Sequence, residues 1–131
     1  MSHKTIIAII AFFTSLPLFI GCNNVTRYGT KFNKSQWDSV GDLHSYPYRE
    51  SMVEDLIAHH KIKGLTYHQL IDSLGQPDNY GDIHDSIRYD IVTNYGYLDP
   101  KSGKYLAIGL NKDSVATGLK VVDWKNRHAN E

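Results

Sequence analysis

From Arg49 onward the chain changes rhythm twice, and each rhythm points to a different element. Met52, Val53, Leu56 and Ile57 recur at the three-to-four spacing of a helix, so RESMVEDLIAHHKIKG reads as a first helix with one buried stripe. Ser51 with Glu54 three residues on fits a capping box, and Gly64 supplies the stop. Asp55 and His59 stand four apart, neighbours on a helix surface. GLTYHQLIDSLGQPD, residues 64 to 78, is punctuated more densely. Thr66 and Gln69 form a second capping box, Leu65 and Leu70 take the staple positions, and Gly75 with Pro77 closes the element. Leu70, Ile71 and Leu74 make its apolar stripe. A helix of about nine residues is unstable alone. Its explicit ends therefore imply a surface on which it lies.

Beyond Asp85 the period shortens to two. Ile87, Tyr89 and Ile91 share one face of a strand over Ser86 to Val92, and Leu106, Ile108 and Leu110 share one face of a second over Lys104 to Leu110. Asp99 to Gly103 and Asn111 to Ser114 have turn chemistry, and Val115 to Trp124 completes a third strand. Short turns between period-two strands predict an antiparallel β-meander. The expected fold class is α+β, with two helices packed on a three-stranded antiparallel meander in two layers. This domain spans 49–125, and 126–131 form a C-terminal tail.

The amino-terminal part follows neither rhythm. MSHKTIIAIIAFFTSLPLFIGC carries a basic Lys4, an uncharged run from Thr5 to Gly21, and a small residue before Cys22. That is the layout of a secretory signal with a cleavage site. Leu18-Phe19-Ile20-Gly21-Cys22 resembles the junction of bacterial lipoprotein signals, although Phe19 stands where such signals usually have leucine. The resemblance implies a signal peptide at 1–21, removal at Gly21, and acylation of Cys22 as the new terminus. An uncleaved anchor is the competing reading, but the run is broken by Pro17 and falls short of the roughly 20 residues a spanning helix needs. An ordinary thiol at Cys22 is the other. One cysteine forms no intramolecular disulfide, whereas a multiply acylated terminus stays in a membrane at about 0.8 kcal/mol per buried methylene. No acidic cluster follows Cys22, which leaves the periplasmic side as the expected location, with the outer membrane favoured over the inner. Residues 22–48 are polar with scattered aromatics and no periodicity, and read as the lipidated terminus and a tether, reaching on the order of 30 Å as a coil. Trp37 within it is expected to dock on the domain.

Composition narrows the function. The chain of 131 residues has 14 basic and 14 acidic side chains, so a strongly basic nucleic-acid binder is excluded. Phosphate loops, nucleophile elbows and zinc signatures are missing from the sequence. His59 and His60 are adjacent and point about 100° apart on a helix, and His68 and His84 have no spacing that joins them to a metal. Asp78, Asp82 and Asp85 lack the alternation of a calcium loop and read as a solvated loop. No catalytic residue, metal or cofactor is expected. Tyr95 and Tyr97, in Tyr95-Gly96-Tyr97 before a turn, are the candidate partner-binding residues, since exposed tyrosines join a large rigid area to a polar tip. Packing of these rings over the second face of the sheet is the alternative.

Gly64-Leu65-Thr66, Leu70, Leu74-Gly75 and Pro77, in the order helix, helix, three strands behind a lipoprotein signal, resemble the SmpA/OmlA family of small lipoproteins. Arg49 to Leu56, with Trp37 upstream, looks like a variant of that pattern from Bacteroidetes-type bacteria. The resemblance covers roughly residues 49 to 124. It implies a non-enzymatic module anchored in the cell envelope that binds another envelope protein, as the family's accessory of the barrel-assembly machine does. An inhibitor or immunity-type module is a second expectation, and a small-ligand protein or weak hydrolase a third.

Overall fold

The computed structural model describes residues 29–78 and 85–128. Cys22, Asp82 and His84 lie outside them. Three helices, α1 (Lys34–Trp37), α2 (Arg49–His59) and α3 (Tyr67–Leu74), precede strands β1 (Ser86–Tyr95), β2 (Pro100–Leu110) and β3 (Ala116–Lys125). The strands form one antiparallel sheet in the order β1-β2-β3. The fold is α+β.

The period-two residues sit where their alternation places them. Ile87, Tyr89, Ile91, Leu106, Ile108 and Leu110 are buried on one face, together with Trp37, Met52, Val53, Leu56, Leu70 and Leu74 from the helices. Pairing jumps from Asp90↔Tyr105 to Val92↔Lys104, so Ile91 is the extra residue of a bulge. The hairpin between β1 and β2 differs from the expected one. Its turn is residues 96–99, closed by the Gly96 N–H donating to the Asp99 carbonyl at 2.8 Å, while Pro100 to Gly103 belong to β2. Proline is admissible as the first residue of a strand. Gly103 belongs there for a steric reason, because a Cβ would stand 2.3 Å from the Val92 carbonyl and 2.9 Å from Trp124 Nε1. Pairing on both sides, to Thr93 and Trp124, outweighs the turn tendency of this stretch.

The short α3 has the ends its sequence specifies. Thr66 Oγ1 accepts from the Gln69 N–H at 3.3 Å, and the Thr66 N–H donates to Gln69 Oε1 at 2.9 Å. Gly75 closes the helix at φ 78°, where a β-carbon would be strained and would also collide with the Asp38 carboxylate. Leu70 and Leu74 are fully buried, and the Tyr89 hydroxyl donates to the Gly75 carbonyl at 2.9 Å.

Helix α2 starts where the helical stretch does but departs from expectation in its cap and its last turn. It begins at Arg49, so Ser51 lies inside its first turn and donates to the Tyr48 carbonyl instead of capping. It ends at His59, and Gly64 (φ 91°) turns the chain farther on, with its N–H donating to Ala116. Ile57 is 43% exposed rather than part of the buried stripe. The tether also ends earlier than residue 48. The Phe32 N–H donates to Asp55 Oδ2 at 2.8 Å, Asn33 caps α1, and Trp37 is fully buried in the core. A four-residue helix shows no period, which hides this docked segment from pattern reading.

Candidate functional site

Two arrangements stand out, one buried and one exposed. The buried one centres on Arg49, whose early place in α2 turns its side chain into the core against Trp37 and Tyr89, at 5.1 and 5.6 Å from the ring centres. Its guanidinium lies 3.3 Å from the centre of the Tyr46 ring, a stacked cation–π contact. Nε donates to the Trp37 carbonyl at 3.0 Å, and Nη1 donates to the Asp90 carbonyl at 2.7 Å and to Asp78 Oδ2 at 2.5 Å. Asp78 also accepts from the Asp90 N–H at 2.9 Å and from the Tyr46 hydroxyl. The solvated loop expected at Asp78 is therefore corrected. This carboxylate is largely buried and bound by three donors, while Asp85 is exposed. Asp78 is drawn in because a buried guanidinium needs a counter-charge.

Chemically the cluster is a clamp. Oδ2 of Asp78 accepts from Arg49 and the Asp90 N–H and Oδ1 accepts from Tyr46, so the carboxylate ties the segment before α2, α2 and β1 together. Tyr46 is pushed up to about 12, first by burial and then by its hydrogen bond to Asp78, and burial likewise raises Tyr89. The raised Tyr46 value has a definite sign for stability. The unfolded chain loses this proton near pH 10 and the folded one near 12, so stability present below pH 10 is lost as pH rises through that window. Alkaline titration followed by urea unfolding should show that loss, and Tyr46→Phe should remove part of it. An unchanged profile in the variant would place the effect elsewhere.

Asp55 forms the expected pair with His59, Nδ1 to Oδ1 at 2.8 Å, while His60 Nε2 is 3.7 Å from Oδ2. The Phe32 N–H, ahead of the histidines, holds the Asp55 carboxyl below the usual carboxylate range. His59, His60 and His68 are exposed, and among the described residues no three His, Cys, Asp or Glu side chains are grouped to hold a metal.

The exposed arrangement is the β1–β2 tip. Tyr95 ends β1 at 49% exposure, and Tyr97 and Leu98 in the turn are 98% and 80% exposed. Leu43 (79% exposed) and His44 come from a 3-10 turn, Asp42–His44, and line one open depression of about 540 Å³ with the three tip residues. Leu43 and His44 have φ of 55° and 54°. Left-handed backbone at non-glycine residues costs about 1–3 kcal/mol each. Here it is held by Gly41 N–H to Ser45 O at 2.8 Å and Ser45 N–H to Asp42 O at 3.1 Å. Scattered exposed apolar residues are ordinary, but a convergent group marks a contact surface. Tyr95 and Tyr97 are thus brought together by the hairpin. Leu43 and Leu98 escaped pattern reading, since a lone leucine in a polar stretch has no periodic signature.

The sheet face away from the helices carries a wider depression, about 720 Å³, over Tyr105, Ala107, Gly109, Gly118 and Val122. It exists because Gly109 and Gly118 pair without side chains. The Arg88 guanidinium lies 4.4 Å from the Tyr105 ring centre at its edge. Among the described residues no helix is long and apolar enough to cross a membrane. Comparison with protein-family models, curated proteins and solved structures found no match.

Proposed function

We propose that this chain is a non-enzymatic, lipid-anchored protein of the cell envelope, held at Cys22 and facing the periplasm, that works by contact with another envelope protein. The observation that carries the reading is the open sheet face over Tyr105, Ala107 and Val122, on a domain whose hairpin tip also leaves Tyr95, Tyr97, Leu98 and Leu43 in water. The buried Arg49–Asp78 pair, tied to backbone at Trp37 and Asp90, fits a structural clamp and so supports a contact role over a catalytic one. Kinship with the SmpA/OmlA family, including its two-layer packing of helices on a sheet, belongs to the same proposal. The capping box at Thr66, the left-handed Gly75 and the meander support it. The open sheet face offers the broader area for a protein, and the tip sets how that face is presented.

Photocrosslinking in the native envelope tests this, with the reactive group placed at Val122 on the open face. Capture of one discrete protein is expected. Tyr95→Ala with Tyr97→Ala should cut the capture severalfold while changing stability by less than about 0.5 kcal/mol, as for other surface substitutions. Lost stability with capture retained would show these rings to be structural. A purified sample that turns over a substrate would overturn the contact role.

A further inference from the structure

The place where the chain enters the fold says what the tip itself touches. Phe32 is docked on Asp55, and Gly29 lies against Ser51, where a β-carbon would stand 2.8 Å from the Ser51 carbonyl. Followed backward from Phe32, the chain therefore runs along α2 toward that helix's amino-terminal end, and Gly29 shares a shallow groove with Pro47 and Glu50. That end faces the hairpin. Arg49 reaches the Asp90 carbonyl and Lys104 reaches Glu50, next to the tip half of β1 and β2. The opposite end of the sheet is where Gly64 and Leu65 pair with Ala116. The stretch from Cys22 to Gly29 spans at most about 25 Å. The described chain thus begins, at Gly29, on the side of the molecule that carries the hairpin, with Cys22 no more than that length away.

We propose that Leu43, Tyr95, Tyr97 and Leu98 rest in the headgroup region of the bilayer that holds the anchor, so that the body is fixed at two points. The proposal rests on the lipid-anchor reading above. Tyrosine suits that depth because its ring is apolar and its hydroxyl stays wet. Two exposed acids, Asp42 and Asp99, adjoin the apolar residues, and three cations flank them toward the phosphates. The Asn126 N–H donates to the Lys101 carbonyl at 2.8 Å and its Nδ2 to the Pro100 carbonyl at 3.3 Å, which sets Lys125 and Arg127 next to Lys101 at the hairpin base. All three are exposed. Size favours a lipid surface over a protein, because four side chains on a protruding tip fall well below the roughly 800 Å² per partner of a stable protein interface. Tethering near the membrane makes the second contact intramolecular in effect, so a small patch is sufficient.

The test uses the full chain with its native anchor, carrying Tyr97→Trp, in vesicles of phosphatidylethanolamine and phosphatidylglycerol containing shallow-brominated lipid. Relative to the parent, whose own indoles are Trp37 and Trp124, the added indole should lose emission when shallow-brominated lipid replaces its unbrominated counterpart, as expected for a ring at the interface. Leu43→Ser with Leu98→Ser should abolish that quenching at unchanged melting temperature. An unquenched indole overturns the proposal. So does shielding of position 97 in native membranes but not in protein-free vesicles, which would identify a protein as the cover. Labelling of Cys22 with a clickable fatty acid reports the anchor separately. Labelling without quenching sinks the tip contact alone, and quenching without labelling sinks the anchor reading while the tip contact stands.

Discussion

Replacing Arg49 by methionine will destabilise the fold by about 3–5 kcal/mol, the range for breaking a buried ion pair from one side. The loss comes mostly from what remains. Asp78 stays largely buried with its charge, keeping the Asp90 N–H and the Tyr46 hydroxyl but losing the cation beside it. The Trp37 and Asp90 carbonyls lose a donor, and the Tyr46 ring loses the group stacked on it. Urea unfolding should show a lower midpoint at unchanged slope, which separates lost stability from a changed denatured state. Asp78→Asn supplies the control, since it neutralises the stranded charge. Combined with Arg49→Met it should cost less than the two single losses added together. Additive losses would mean that the two residues do not act as a pair.

Trp37→Ala should cost about 3–5 kcal/mol, as for other fully buried tryptophans cut to alanine. The ring fills the space between Phe32 and Tyr89, at centroid distances of 5.6 and 6.2 Å, and lies under Arg49. Its Nε1 is buried with no hydrogen-bond partner among the described residues. Trp37→Phe should therefore be milder, about 1–2 kcal/mol, because a smaller ring leaves part of the cavity but removes the unsatisfied donor. Hydrogen exchange at Trp37 and Asp38, whose N–H groups bond back to Asn33 and Lys34, should track global unfolding if residues 32–48 belong to the cooperative unit. Free exchange there, or a loss below about 1 kcal/mol in Trp37→Ala, would return this segment to the status of a tether.

The elements readable in advance are those whose causes lie within a few residues. The α3 capping box is two hydrogen bonds between residues three apart, and the Gly75 stop needs only a left-handed backbone. The buried faces of β1 and β2 follow from alternation, which any half-buried strand imposes. Errors begin where distant partners compete with local chemistry. Asp99 to Gly103 has turn residues, yet Pro100 to Gly103 join the sheet because Tyr95, Asn94 and Thr93 on one side and Lys125 and Trp124 on the other pair with them. Ser51 and Glu54 had the spacing of a cap, yet the cap position falls three residues earlier, at Tyr48, and Arg49 after it is committed to Asp78 and Asp90. Tyr95 and Tyr97 were recognisable as contact candidates by type and by their place beside a turn. That Leu43 joins them was not, because it comes from a strained turn far upstream.

By itself the sequence determined the α+β class, the two helices with one set of sound ends, and three strands, the first two with a known inward face. These follow from burial period and short-range hydrogen bonding, which are local properties of a chain. Only the tertiary structure decided that the segment around Trp37, itself expected to dock, is a helix fixed to α2, that Asp78 neutralises Arg49, and that leucines and tyrosines from separate segments meet at one tip. A buried charge or a large ring must find its partner wherever the fold brings one, and no spacing along the chain encodes which residue that is.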